Sequence, residues 1–123
     1  MGRDYKNIVA WQISHKLTVN IYNLTRNFPK EEIYGITSQL RRAASSVSAN
    51  IVEGSGRETN KDYLRFLYIA RASLKETEYF VLLSKDLGYL STEDFEFFTE
   101  NINHSFATLH GLIKAVKKET GDV

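Results

Sequence analysis

At 123 residues, with 42% hydrophobic and 25% charged residues, the chain has the size and composition of one soluble domain around one core, not of a disordered tract. It contains no cysteine, which excludes disulfides, thiolate metal sites and a cysteine nucleophile. The net charge of +1 is no nucleic-acid signature, yet residues 1–57 sum to +4 and residues 58–123 to −3.

Two readings of that asymmetry stay open: complementary halves of one domain, or a basic face turned to phosphate. The start, MGRDYKNIVAWQ, shows no long apolar run and no small-residue cleavage site, so no signal peptide is expected. No run approaches the roughly 20 apolar residues of a membrane helix. A cytoplasmic protein without a membrane partner is the expectation.

The first helix is expected over about Asn7–Arg26. Ala10, Ile13, Leu17, Ile21 and Leu24 recur at three- and four-residue steps, with Trp11 and Tyr22 off that stripe. Phe28-Pro29 marks its end, because the residue before proline leaves the helical region. Lys30–Gly35 reads as a connector with room for one helical turn, in which Tyr34 beside Gly35 is expected to plug a core edge.

The second helix is expected over Ile36–Glu53. Its apolar face is Ile36, Leu40, Ala43, Val47 and Ile51, with Ala44 at the margin. Its many alanines and serines make it thin enough for close helix approach. Gly54 reads as a left-handed stop and Gly56 as a flexible joint.

The third helix is expected from Thr59 or Asn60 to about Leu87, with Thr59 and Asp62 as a variant capping box and Gly88 as the stop. Tyr63, Phe66, Leu67, Ala70, Leu74, Thr77 and Val81 form one stripe. Ile69, Phe80, Leu83 and Leu87 form a second, displaced by about a third of a turn. Leu64, Tyr68, Tyr79 and Leu82 add more apolar perimeter than one bundle core takes, which predicts a second interface.

The fourth helix opens at Ser91, with Asp94 in the first turn. Its stripe is Phe95, Phe98, Ile102, Phe106, Leu109, Ile113 and Val116, its last turns hold Lys114, Lys117 and Lys118, and Thr120–Val123 is expected to fray. No hairpin signal competes, so the fold class is all-α, an antiparallel up-and-down four-helix bundle, with residues 1–123 as one domain.

The polar stripe of the second helix is the most unusual chemistry. Gln39, Arg42, Ser46, Asn50 and Glu53 lie within about 80° on the wheel and adjoin the apolar face instead of opposing it. A hydrogen-bonded seam between helices or subunits and a ligand or partner surface are both open readings. No nucleophile has an adjacent base, so no catalytic residues are assigned and no enzyme is expected. Gly54-Ser55-Gly56-Arg57 follows a helix instead of opening one, so it is not a phosphate loop. His15, His104 and His110 have no metal-ligand spacing, and no Glu-x-x-His pair exists; neither a metal nor a cofactor is expected. Arg41, Arg42, Arg57, Arg65 and Arg71, with Lys61 and Lys75 and interleaved Tyr63, Tyr68 and Tyr79, are the candidates for nucleic-acid or partner binding.

The stretch FPKEEIYGITSQLRRAASSVSANIVEGSGR resembles the signature of the 23S rRNA intervening-sequence protein family, small bacterial four-helix bundles. The resemblance rests on Phe28-Pro29, Glu32, Tyr34-Gly35, Gln39-Leu40-Arg41-Arg42-Ala43-Ala44, Ser46-Val47, Asn50 to Gly54, and Gly56-Arg57, with Ile36 where leucine is commoner. It continues more loosely through Tyr63–Leu67 and Ala72–Glu78.

The resemblance implies a bundle that assembles as a ring, most often a homopentamer, and genes found within large-subunit rRNA insertions. Related bundles are accessory factors of reverse transcriptases in diversity-generating retroelements. The expected function is a non-catalytic, self-associating bundle, an RNA- or ribonucleoprotein-associated scaffold. The alternatives are a nucleic-acid-binding accessory factor, or an adaptor for a polymerase or ribosomal partner.

Overall fold

The computed structural model describes residues 3–120. Four helices run up and down: α1 (Val9–Thr25), α2 (Ile36–Ser55), α3 (Asn60–Asp86) and α4 (Thr92–Thr120). Short 3-10 turns at Tyr5–Asn7 and Lys30–Glu32 precede α1 and α2. Each helix packs on the next, and α4 returns to α1, so the four enclose one core. All described regular structure is helical.

Local chemistry accounts for most boundaries. The Thr59 hydroxyl accepts from the Asp62 amide at 3.1 Å and the Ser91 hydroxyl from the Asp94 amide at 3.0 Å, the two N-caps the spacing predicts. The end of α3 is a Schellman motif: the Gly88 amide donates to the Lys85 carbonyl and the Tyr89 amide to the Ser84 carbonyl, both at 2.9 Å, with Gly88 at φ +80°. α1 stops at Thr25, before Phe28-Pro29, and the connector holds its single turn at Lys30–Glu32.

Three expectations are corrected. Gly54 is no stop: it lies inside α2, buried, with Gly56 as the C-cap in the ordinary right-handed region. A Cβ at Gly54 would come within 2.8 Å of the Tyr63 ring and 2.9 Å of the Phe66 Cβ, so this glycine serves the approach of α3. Tyr34 plugs nothing and is 93% exposed. Phe28 and Tyr89 close that end instead, their rings 5.5 Å apart, while Glu32 accepts from the Tyr89 hydroxyl at 2.7 Å and the Ile36 amide at 3.3 Å. Thr120 belongs to α4; the rest of the expected frayed tail lies outside the described residues.

The apolar stripe of α2 and the first stripe of α3 are buried throughout; that of α4 is buried except for half-covered Phe95 and Phe106. α1 differs. Ser14, Thr18 and Thr25 are buried beside Ala10, Leu17 and Ile21, while Ile13 and Leu24 sit at the edge. Burial is tolerable because the hydroxyls are satisfied locally. Thr18 Oγ1 reaches the Ser14 carbonyl at 2.9 Å and the Ala44 carbonyl at 3.1 Å; Thr25 Oγ1 reaches the Ile21 carbonyl at 2.9 Å.

Candidate nucleic-acid and partner interface

The polar stripe of α2 borders α3. Arg42 donates to Gln39 Oε1 at 3.0 and 3.2 Å and forms an ion pair with Glu76 of α3. One turn on, the hydroxyls of Ser46 and Ser73 are 2.9 Å apart, and Asn50 Nδ2 donates back to the Ser46 carbonyl at 2.8 Å and hydroxyl at 3.0 Å. Four of the five stripe residues thus bond in two successive groups along the α2–α3 contact; Glu53 is exposed beyond them. Small hydroxyls at the middle of that contact allow the backbones to come close, and Gly54 continues that closeness to the end of α2.

The five candidate arginines are not one patch. Arg41 turns to α1, donating from Nε to Thr25 Oγ1 at 2.7 Å, with its guanidinium 4.8 Å from the centre of the Tyr22 ring. Arg42 is held in the seam. Arg57 and Arg65 meet at the α2–α3 joint, each 4.4 Å from the Phe66 ring centre and both paired with Asp62, at 3.6 and 3.0 Å. Arg57 therefore pairs across the joint. Arg71 lies 4.9 Å from the Tyr68 ring centre, and Lys75 lies 5.4 Å from that of Phe106. Arg71 and Lys75 flank a shallow groove of about 430 Å³ between α3 and α4. Of the interleaved tyrosines, Tyr68 and Tyr79 are exposed; Tyr63 is buried, its hydroxyl unpartnered, and cannot stack on a ligand. Burial pushes the Tyr63 phenol above its ordinary pKa, opposed by Arg3 and reinforced by Glu119.

His15 stacks on Trp11 at 4.7 Å. Among the described residues, no group of three or more His, Asp or Glu side chains is placed to hold a metal ion. No helix among them is long and apolar enough to cross a membrane.

A family model described as 23S rRNA-intervening sequence protein matches residues 6–111, from the first 3-10 turn to well inside α4. The chain belongs to this family. The chain is also similar to a crystal structure from Bacteroides thetaiotaomicron, described as a protein with unknown function from the S23 ribosomal protein family. The two share 27% identity over 86% of this chain and 96% of that one, with a TM-score of 0.80. No curated protein matches significantly.

The family stretch Phe28–Arg57 thus covers the α1–α2 joint, all of α2 and the turn into α3. Three residues outside the candidate set also matter here. Glu76 is the partner of Arg42, and Arg26 and Lys30 stand beside Arg41 at the α1–α2 joint. Sequence spacing carries no signal for them, because each meets its neighbours across a helix joint or between helices.

Proposed function

We propose that this chain is a non-catalytic, self-associating bundle that serves as a scaffold in an RNA-associated setting. One observation carries the reading: the outer side of α3. Tyr68, Ile69, Tyr79, Leu82 and Leu87 are exposed there, a concentration that no other helix shows among the described residues. Tyr68, Ala72 and Tyr79 fall within about 40° on the helix wheel, turned away from the buried stripe, with Ile69 and Leu82 on either side of them. An apolar strip of that kind favours a second protein surface. The expected partner is another copy, in the ring of five that the family resemblance implies. The RNA setting rests on the family description alone.

Size-exclusion chromatography with light scattering is expected to give a defined multiple of the 14.1 kDa chain at micromolar concentration. Ile69→Glu with Tyr79→Glu, both at exposed positions, is expected to return the monomer with helicity unchanged. A strictly monomeric wild type sinks the proposal. A wild type that assembles only when a different protein is added favours the adaptor reading.

A second reading is favoured by the α3–α4 groove, where Arg71 and Lys75 lie against Tyr68 and Phe106. Cations beside aromatic rings suit single-stranded nucleic acid, through phosphate contact and base stacking. It predicts RNA affinity that falls steeply with salt and is weakened by Tyr68→Ala.

A further inference from the structure

We propose that the α1–α2 joint holds a phosphate-binding notch. This inference goes beyond the scaffold reading and stands without it. The end of α1, the proline turn and the first turn of α2 enclose a cleft of about 390 Å³, lined by Arg26, Lys30 and Arg41 over Phe28. No carboxylate lines it. Among the described residues the cations in ion pairs are Arg42, Arg57, Arg65 and Lys75; Arg26, Lys30 and Arg41 have no acidic partner. Three cations without an ion pair thus line one cleft, in a chain whose net charge is only +1.

A second observation is independent of charge. Thr37 also lines the cleft, is 2% exposed, and its hydroxyl has no hydrogen-bond partner among the described residues. The hydroxyl is not sealed from solvent, so it is open to a group that enters the cleft. Thr37 stands in the first turn of α2, whose Ile36 amide already donates to the Glu32 carboxylate at 3.3 Å, so the hydroxyl and not the helix start is the free donor there. Arg41 is pre-positioned, since Thr25 and the Tyr22 carbonyl, 3.5 Å from its terminal nitrogen, fix its guanidinium while leaving donors free. Three cations and a free hydroxyl line one cleft, which suits a group that is small, anionic and rich in acceptors. That group is a phosphate, from a nucleic-acid strand or from a free phosphorylated molecule.

The test is an amide-resolved NMR titration of the full chain with inorganic phosphate and, separately, with a single-stranded oligouridylate, at constant ionic strength set with chloride. Saturable shifts centred on Lys30 and Thr37 are expected. Arg26→Gln with Lys30→Gln is expected to weaken binding about tenfold. Thr37→Val, which keeps the side-chain shape, is expected to weaken it several-fold with the thermal midpoint retained. Arg57→Gln, a paired arginine, is expected to bind as wild type. Saturation by both ligands supports a site for the phosphate group itself; saturation by the oligonucleotide alone supports a strand phosphate. No saturable shift with either ligand overturns the proposal. So does unchanged binding in the Arg26/Lys30 variant, or a loss in Arg57→Gln as large as in that variant.

Discussion

The two flanks of α2 treat neighbouring arginines in opposite ways. Arg42 turns to α3 and meets Glu76, in a seam where Ser46, Ser73 and Gly54 let the helices approach closely. Arg41, one residue earlier, turns to α1 and meets only neutral acceptors, Thr25 and the Tyr22 carbonyl. A rotation of about 100° separates a neutralised charge from an unneutralised one. The α3 flank is closed both sterically and electrostatically. The α1 flank is held by buried hydroxyls and leaves its positive charge available. A basic sequence motif is therefore a poor guide to where charge is free, because the carboxylate that cancels it comes from another helix.

The comparison is broken most forcefully at Gly54. Alanine there gains about 1 kcal/mol in helix propensity but pushes Tyr63 and Phe66 of α3 away from α2, at a cost of about 1–3 kcal/mol. A net loss of about 1 kcal/mol in urea unfolding is expected. A gain in stability shows that the α3 flank has slack.

A smaller effect separates the arginines. Arg42→Gln removes a partly exposed ion pair and is expected to cost about 0.5 kcal/mol at low salt, with the difference from wild type shrinking as salt rises. Arg41→Gln removes hydrogen bonds to neutral groups, so its cost is expected to hold steady with salt. Equal salt dependence in the two variants contradicts the division of the flanks.

The smallest effect at neutral pH is expected at Tyr63, which packs against Gly54 on the closed flank. Its hydroxyl has no partner, so Tyr63→Phe is expected to be nearly neutral at pH 7. The folded-state pKa of Tyr63 is raised from 10.0, so the folded chain holds this proton more tightly than the unfolded one. Its contribution is complete below the unfolded value and is lost as pH rises through the folded value. The thermal midpoint of the wild type should fall above pH 10, and less so in Tyr63→Phe; Tyr89, also raised, chiefly by its hydrogen bond to Glu32, supplies part of the remaining fall.

Much of the bundle was legible because its information is local. The three- and four-residue spacing of Leu40, Val47 and Ile51, or of Leu67, Leu74 and Val81, fixes which face is buried, and Thr59, Ser91 and Gly88 mark boundaries through their own chemistry. Gly54 shows where that ends. It resembles Gly88 in sequence, both glycines near a helix end, yet one provides a positive φ and the other provides room for a side chain on α3. Tyr34 was misjudged for the same reason, since Phe28 and Tyr89 occupy the place it was expected to fill. On α1, period alone favoured Ile13 and Leu24 over Ser14, Thr18 and Thr25; the back-bonding of threonines to the preceding turn, which makes them buriable, is invisible to a count of apolar residues. The candidate binding set groups Arg41 with Arg42, whereas the structure turns the two to different helices. The convergence of Arg26, Lys30 and Thr37 needed the fold of the joint.

The succession of the helices has a kinetic consequence. Every helix neighbours the next along the chain, and only the meeting of α1 with α4 is remote in sequence. Loop closure is therefore cheap for three of the four contacts, which favours rapid folding. The α2–α3 hairpin, with its close seam and its caps at one joint, is the natural nucleus, and the docking of α1 on α4 the late step. Arg3 stands where that step ends: it donates to the Ser55 carbonyl at 3.3 Å and bonds to Asn60, which in turn donates to Glu119 of α4 at 3.1 Å. The Arg3 bonds need the segment before α1 in place and the Asn60–Glu119 bond needs α4, so together they are expected to slow the opening of the bundle more than they speed its formation.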